Sequence, residues 1–225
     1  MLFKGVPIPP LPSETRWNTV NDSLLYFNQH WAILTEICAT LLFANDPLRL
    51  SLENLTLRRA SEEFAKQFKP IAVAIDKSQK DCTTIGDAIH IWLTLQEDFP
   101  KEAVKGMVFL KQRLSKVSAE ACFLGAYVLH PKYMGKGLSP QQLQSALTFL
   151  EKRGCIKADV LKFLEKQQPF TEETFIDVSP NLFWKAGTRF GFPAALCTIA
   201  LSLTCCIASS AGLERQFSSL RFRAV

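Results

Sequence analysis

No charged side chain occurs between Arg189 and Glu214. A run of that length is held either in a lipid bilayer or inside protein. Polar side chains interrupt it at Thr198, Ser202, Thr204, Ser209 and Ser210, and Gly191, Pro193 and Gly212 break its apolar continuity. Its flanks carry no anchoring cluster. A buried helix is therefore expected here, with no membrane contact, and a membrane protein anchored by residues 190–213 is the alternative.

The remainder of the chain repeats apolar residues at helical spacing. Val20, Leu24, Phe27 and Trp31 form a first stripe, and Asn45, Asp46 and Pro47 form a turn. Leu57, Ala60, Phe64, Phe68, Ile71 and Ile75 form a second stripe, in which Pro70 removes a backbone donor and should kink the helix. Ile85, Ile89 and Trp92 mark a third helix closed by Pro100. Leu110, Leu114, Val117, Ala121, Leu124 and Val128 continue one face, with a break near Ser115 or Ser118. His130 and Pro131 end it.

The sharpest local signal lies at 139–154. Ser139 can cap a helix, Pro140 suits its first position and Gln142 completes a capping box. Leu143, Ala146, Leu147 and Leu150 supply the buried side, and Gly154 suits the stop. Val160, Leu161 and Leu164 mark a further short helix. Residues 169–180 form a polar, acidic connection and the candidate internal boundary. Phe192, Leu196, Ile199, Ala200 and Leu203 then share one face, and Ser209 or Ser210 can cap a last helix carrying Leu213, Phe217 and Leu220. Residues 1–14 read as an extended lead-in, with at most an edge strand over residues 1–8.

Hydrophobic residues make up 48% of the 225 and charged residues 21%, enough to build a core and to exclude wholesale disorder. The formal charge of +5 permits nucleic-acid contact without establishing it. Seven scattered cysteines lack metal-ligand spacing and read as buried or free thiols in a reducing compartment.

Three strings, taken together, carry a family resemblance: PPLPSETRWNT at 9–19, AYVLHPKYMGKGLSPQQL at 126–143, and FWKAGTRFGFPAALCTIALSLTCCIASSAGLERQFSS at 183–219. In order and approximate spacing they resemble the Thr-Arg-Trp-Asn element, the Leu-His-Pro-Lys-Tyr element and the C-terminal dimerisation motif of hAT-superfamily DNA transposases. The resemblance implies a mainly α fold: the helical insertion domain of a ribonuclease-H-like transposase over 15–168 and a dimerisation region over 170–225, with most core strands missing. It also implies a nuclear location.

Family members cleave and transfer DNA strands with divalent metal such as magnesium, held by two aspartates and a glutamate. Hard cations require such oxygen ligands. On the resemblance, Glu214 matches the glutamate. No Asp occurs before Asp22, so a vestigial Glu214, no metal, no cofactor and no catalysis are expected. Additional sequence before Met1 would instead restore a DNA transposase or DNA-binding protein. Independently of its match, Glu214 suits the first turn of a helix, where negative charge is favoured.

Arg16 and Trp17 match a pair thought to touch DNA, and Arg on phosphate with Trp on an unpaired base is sound chemistry. A packed Trp beside an exposed Arg at a helix start also explains them and is the preferred reading. Lys132 and Lys136 can reach phosphate with Tyr133 interleaved, or sit in a solvated loop. His130 is expected to be a capping or core histidine. The resemblance assigns dimerisation to Trp184, Phe192, Leu196, Ile199, Leu203 and Phe217. These apolar residues must pack on the insertion helices or on another chain. The expected partner is a second copy or a related hAT protein, with DNA as a weak partner.

Overall fold

The computed structural model describes residues 7–12, 17–175 and 178–208. Among these, the chain is mainly helical: ten α-helices, two 3-10 turns and one isolated β-bridge. It divides into two compact units, one of Met1–Asp76 with Asp98–Ala103, the other of Lys77–Glu97 with Val104–Val225.

The first unit contains α1 (Trp17–Leu41), α2 (Pro47–Glu53) and α3 (Leu55–Ser78, all but its last two residues). Asp46 caps α2 by accepting from the Leu48 amide at 2.9 Å, which turns the expected bend into a seven-residue helix. A small core of Trp31, Cys38 and Leu52 holds α1 and α2 together. The Trp31 indole donates to the Leu52 carbonyl at 2.8 Å.

The buried face of α1 keeps Trp31 of the expected stripe but not Phe27. Tyr26 and Ser23 are buried and Phe27 is exposed. The cause is the lead-in, whose Pro7 and Pro10 carbonyls accept hydrogen bonds from the Tyr26 and Ser23 hydroxyls, so polar side chains turn inward. The stripe on α3 shifts as well. Ala65 and Ala72 are buried, while Leu57 and Phe64 are exposed, because Ser61 takes the inner position and its hydroxyl donates to Asn28 Oδ1 at 2.8 Å. Pro70 lies inside α3, which continues to Ser78.

The second unit contains α4 (Ile85–Asp98, all but its last residue), α5 (Val104–Ala119), α6 (Ala121–Val128), α7 (Pro140–Lys152), α8 (Lys157–Leu164), α9 (Pro180–Gly187) and α10 (Ala194–Thr204). The apolar run after Leu110 is divided at Glu120, and α6 is buried on every side. The capping box forms as expected: the Gln142 amide donates to the Ser139 hydroxyl at 3.2 Å, and the Ser139 amide donates to Gln142 Oε1 at 2.8 Å. Gly154 follows the end of α7 with a φ of +99°, a conformation that favours glycine. On α8 the inward residues are Val160 and Phe163, and Leu161 is exposed. Phe163 wins the core because it joins a ring cluster with Phe170, Phe183 and Trp184.

A single core joins α6, α7, α8, α9 and α10, and residues on both sides of the acidic 169–180 connection enter it. α10 spans eleven residues, about 16 Å at helical rise, well short of a bilayer's hydrocarbon depth. No helix among the described residues is long and apolar enough to cross a membrane. The expected last helix, with Phe217 and Glu214, lies outside the described residues.

Candidate functional site

The turn after α6 carries a closely bonded set of polar side chains. His130 follows α6 and is buried. Its Nδ1 accepts from the Lys132 amide at 3.2 Å, and its Nε2 lies 3.5 Å from Asp87 Oδ1. The Tyr133 hydroxyl donates to the same oxygen at 2.8 Å. The other carboxylate oxygen, Oδ2, accepts from the Thr84 amide at 2.9 Å and the Thr84 hydroxyl at 2.8 Å. The Tyr127 hydroxyl donates to the Lys136 carbonyl at 2.8 Å, which draws the far side of the turn onto α6.

These bonds set the charge states. Burial raises the Asp87 carboxyl. Hydrogen bonds from His130, Thr84 and Tyr133 outweigh that and hold it well below the usual carboxylate range. Burial, and then Asp87, push the Tyr133 phenol far above its ordinary value. Burial and Glu97 raise Tyr127 to about 12. Burial, followed by Lys132, lowers His90. Both phenols are therefore neutral donors at neutral pH and Asp87 is a fixed anion.

The rings stack above this network. Tyr133 lies 4.2 Å from His130, 4.3 Å from His90 and 5.3 Å from Tyr127, centroid to centroid. The Lys132 ammonium sits 5.6 Å from the Tyr133 centroid, and Lys136 is exposed. Chemically this is a lock with a basic outer edge. Each Asp87 oxygen is already engaged, so no lone pair is presented to a reacting group. Thr84 and Asp87 form a capping box at the start of α4, since the Asp87 amide also bonds the Thr84 hydroxyl at 3.2 Å. The Thr84-x-x-Asp87 pattern is the signal in the sequence that could have found Asp87.

The C-terminal residues tie into the same turn. Trp184 is fully buried and its indole donates to the Leu129 carbonyl at 2.8 Å. Phe192 and Leu196 are buried with it, while Ile199 and Leu203 are half-buried against the same core. These side chains thus face their own chain. The exposed apolar residues nearby are Leu182 and Phe190, 58% and 60% exposed. They line a groove of about 530 Å³ with Val178, Phe183 and Ala186, and Glu173 is its charged residue. At the other end of α10, Thr84 and Ile207 form an antiparallel bridge, with the Ile85 amide on the Cys206 carbonyl and the Ala208 amide on the Thr83 carbonyl, both 2.9 Å.

Arg16 and Glu214 lie outside the described residues, and Trp17 opens α1. Of the nucleic-acid candidates, the structure places Lys132 and Lys136 in one turn. No group of three His, Cys, Asp or Glu that could hold a metal occurs among the described residues. All seven cysteines are free. Comparison with protein-family models, with curated proteins and with solved structures gives no match.

Proposed function

We propose that the chain is a transposase-derived association module. In this reading it is a hAT-like helical insertion, of the kind that interrupts a ribonuclease-H-like core, whose C-terminal end joins a second copy or a related chain, with no catalysis of its own. The observation that carries it is the division of labour at α9. Trp184 and Phe192 face inward and hold the fold, while Leu182 and Phe190 stay exposed beside an apolar groove. An exposed apolar surface of this kind gains by being covered. The three matched sequence strings support the kinship, and a nuclear location follows from it.

The test is light scattering on the purified chain over a range of concentrations. A dimer that dissociates on dilution is expected, and Leu182→Glu with Phe190→Glu should leave a folded monomer. A monomer at every concentration removes the association. Nicking of DNA in the presence of magnesium, abolished by Glu214→Gln, would overturn the non-catalytic part.

A second reading, weak DNA contact, is favoured by Lys132 over the Tyr133 ring next to exposed Lys136. It predicts a salt-sensitive mobility shift with duplex DNA, lost in Lys132→Gln with Lys136→Gln.

A further inference from the structure

α5 differs from the other long helices in its charge. It carries Lys105, Lys111, Arg113 and Lys116, and the sequence holds no carboxylate between Glu102 and Glu120. Three cations elsewhere pair with a carboxylate on their own helix, Arg49 with Glu53, Arg58 with Glu62 and Lys66 with Glu63, whereas α5 has no carboxylate of its own to offer. Among the described residues no ion pair engages any of the four cations of α5.

The same helix leaves large apolar side chains in solvent. Leu110 and Leu114 are buried, but Val104, Val108 and Phe109 are 66%, 50% and 54% exposed. Helical spacing mixes the two kinds of residue on the outer side. Phe109 lies between Lys105 and Arg113, four residues away in either direction, with Lys116 one turn beyond Arg113's row. Val104 and Val108 run beside Lys111. The Arg113 guanidinium rests over the Phe109 ring, 5.0 Å from its centroid.

We propose that α5 is a docking face for an acidic, amphipathic segment of a partner protein. Cations and apolar groups alternate, so the complementary surface must alternate carboxylates with apolar side chains. A lipid surface asks for something else, an undivided apolar side bordered by cations. A nucleic-acid strand asks for an open ring face, but Arg113 covers one face of Phe109, and the two valines offer nothing to a phosphate or a base. From Val104 to Lys116 the face runs about 18 Å, the length of roughly three helical turns of a partner.

The experiment uses the full chain and a fluorescent helical peptide of about 14 residues, with glutamate and leucine interleaved on one face. Three further probes accompany it: a peptide of the same composition in scrambled order, a single-stranded oligonucleotide and phosphatidylserine vesicles. Anisotropy should show the patterned peptide binding at least about tenfold more tightly than the scrambled one. Lys105→Glu with Lys116→Glu should weaken it by a similar factor, and so should Val108→Ser with Phe109→Ser. Both variants should keep the parent circular dichroism and melting temperature. A peptide with lysine in place of glutamate should not bind the parent. Equal binding of patterned and scrambled peptides, indifference to the Val108 and Phe109 changes, or no binding at all would each overturn the proposal. Tighter α5-dependent binding of the oligonucleotide or the vesicles would overturn it in favour of those ligands.

Discussion

The Trp184 indole N–H and the Leu129 carbonyl, 55 residues apart in sequence, meet at 2.8 Å inside the core of the second unit. The carbonyl belongs to the residue just past α6, where a helix leaves backbone acceptors without partners. A tryptophan from α9 supplies the missing donor and fills the space between Phe163, Phe170 and Phe183.

Trp184→Phe keeps an aromatic ring but removes the donor and part of the volume. A loss of about 2–4 kcal/mol in unfolding free energy is expected, from an unpaired buried carbonyl and a partial cavity together. Urea denaturation checks it, with an unchanged m-value as the sign that only stability has moved. A loss below about 0.5 kcal/mol would mean that the bond is dispensable.

Asp87 titrates below its unfolded value. Its contribution is fully present above about pH 4 and drains away as pH falls through the folded value. Asp87→Asn should therefore cost about 1–3 kcal/mol at neutral pH and flatten the acid limb of the stability curve. Tyr133→Phe removes one donor and should cost less, about 0.5–1.5 kcal/mol. The double variant should cost less than the sum, since the two side chains share a bond.

His90 gives a second window, at higher pH. Its folded imidazole resists protonation, while the unfolded one takes a proton near pH 6.5. Below about pH 6.5 the unfolded chain thus binds more protons, and stability falls as pH drops toward the folded value. His90→Phe should remove that slope and leave the lower, Asp87-dependent one in place. Melting temperatures measured from about pH 7 to about pH 1.5 would separate the two.

Gly187 has no room for a side chain. A Cβ there would clash with the Phe192 ring and come within 3.0 Å of Cys197 Sγ. Phe192 is itself packed against Phe170 and Phe183 and has nowhere to go. Gly187→Ala should cost about 1–3 kcal/mol, whereas alanine at Ser139, which loses the cap of α7, should cost about 1 kcal/mol. Thermal melts of the two variants would rank them.

Local signals were the legible part of the fold. The capping box at Ser139, the stop at Gly154 and the end of α6 just before His130 all depend on residues within a few positions of one another, whereas α10, expected to be enclosed, leaves Ala194, Ala195, Thr198 and Ser202 exposed. What escaped was decided by distant partners. Tyr26 and not Phe27 faces inward because Pro7 offers a carbonyl, and Ser61 displaces an apolar residue because Asn28 receives it. The lock around His130 is half visible in the sequence: a capping or core histidine is expected there, but nothing near it in sequence announces Asp87, 43 positions earlier. The exposed pair Leu182 and Phe190 was likewise hidden, since periodicity cannot tell which apolar residues a short helix spends on its own core.

Trp31 and Trp184 have one property in common: each is a buried indole held by a main-chain carbonyl, one in each unit. Indole emission shifts to longer wavelength when such shelter is lost, so each unit carries its own optical reporter. With phenylalanine at Trp17 and Trp92 and both buried indoles kept, one emission transition or two would show whether the halves melt as one body or in succession.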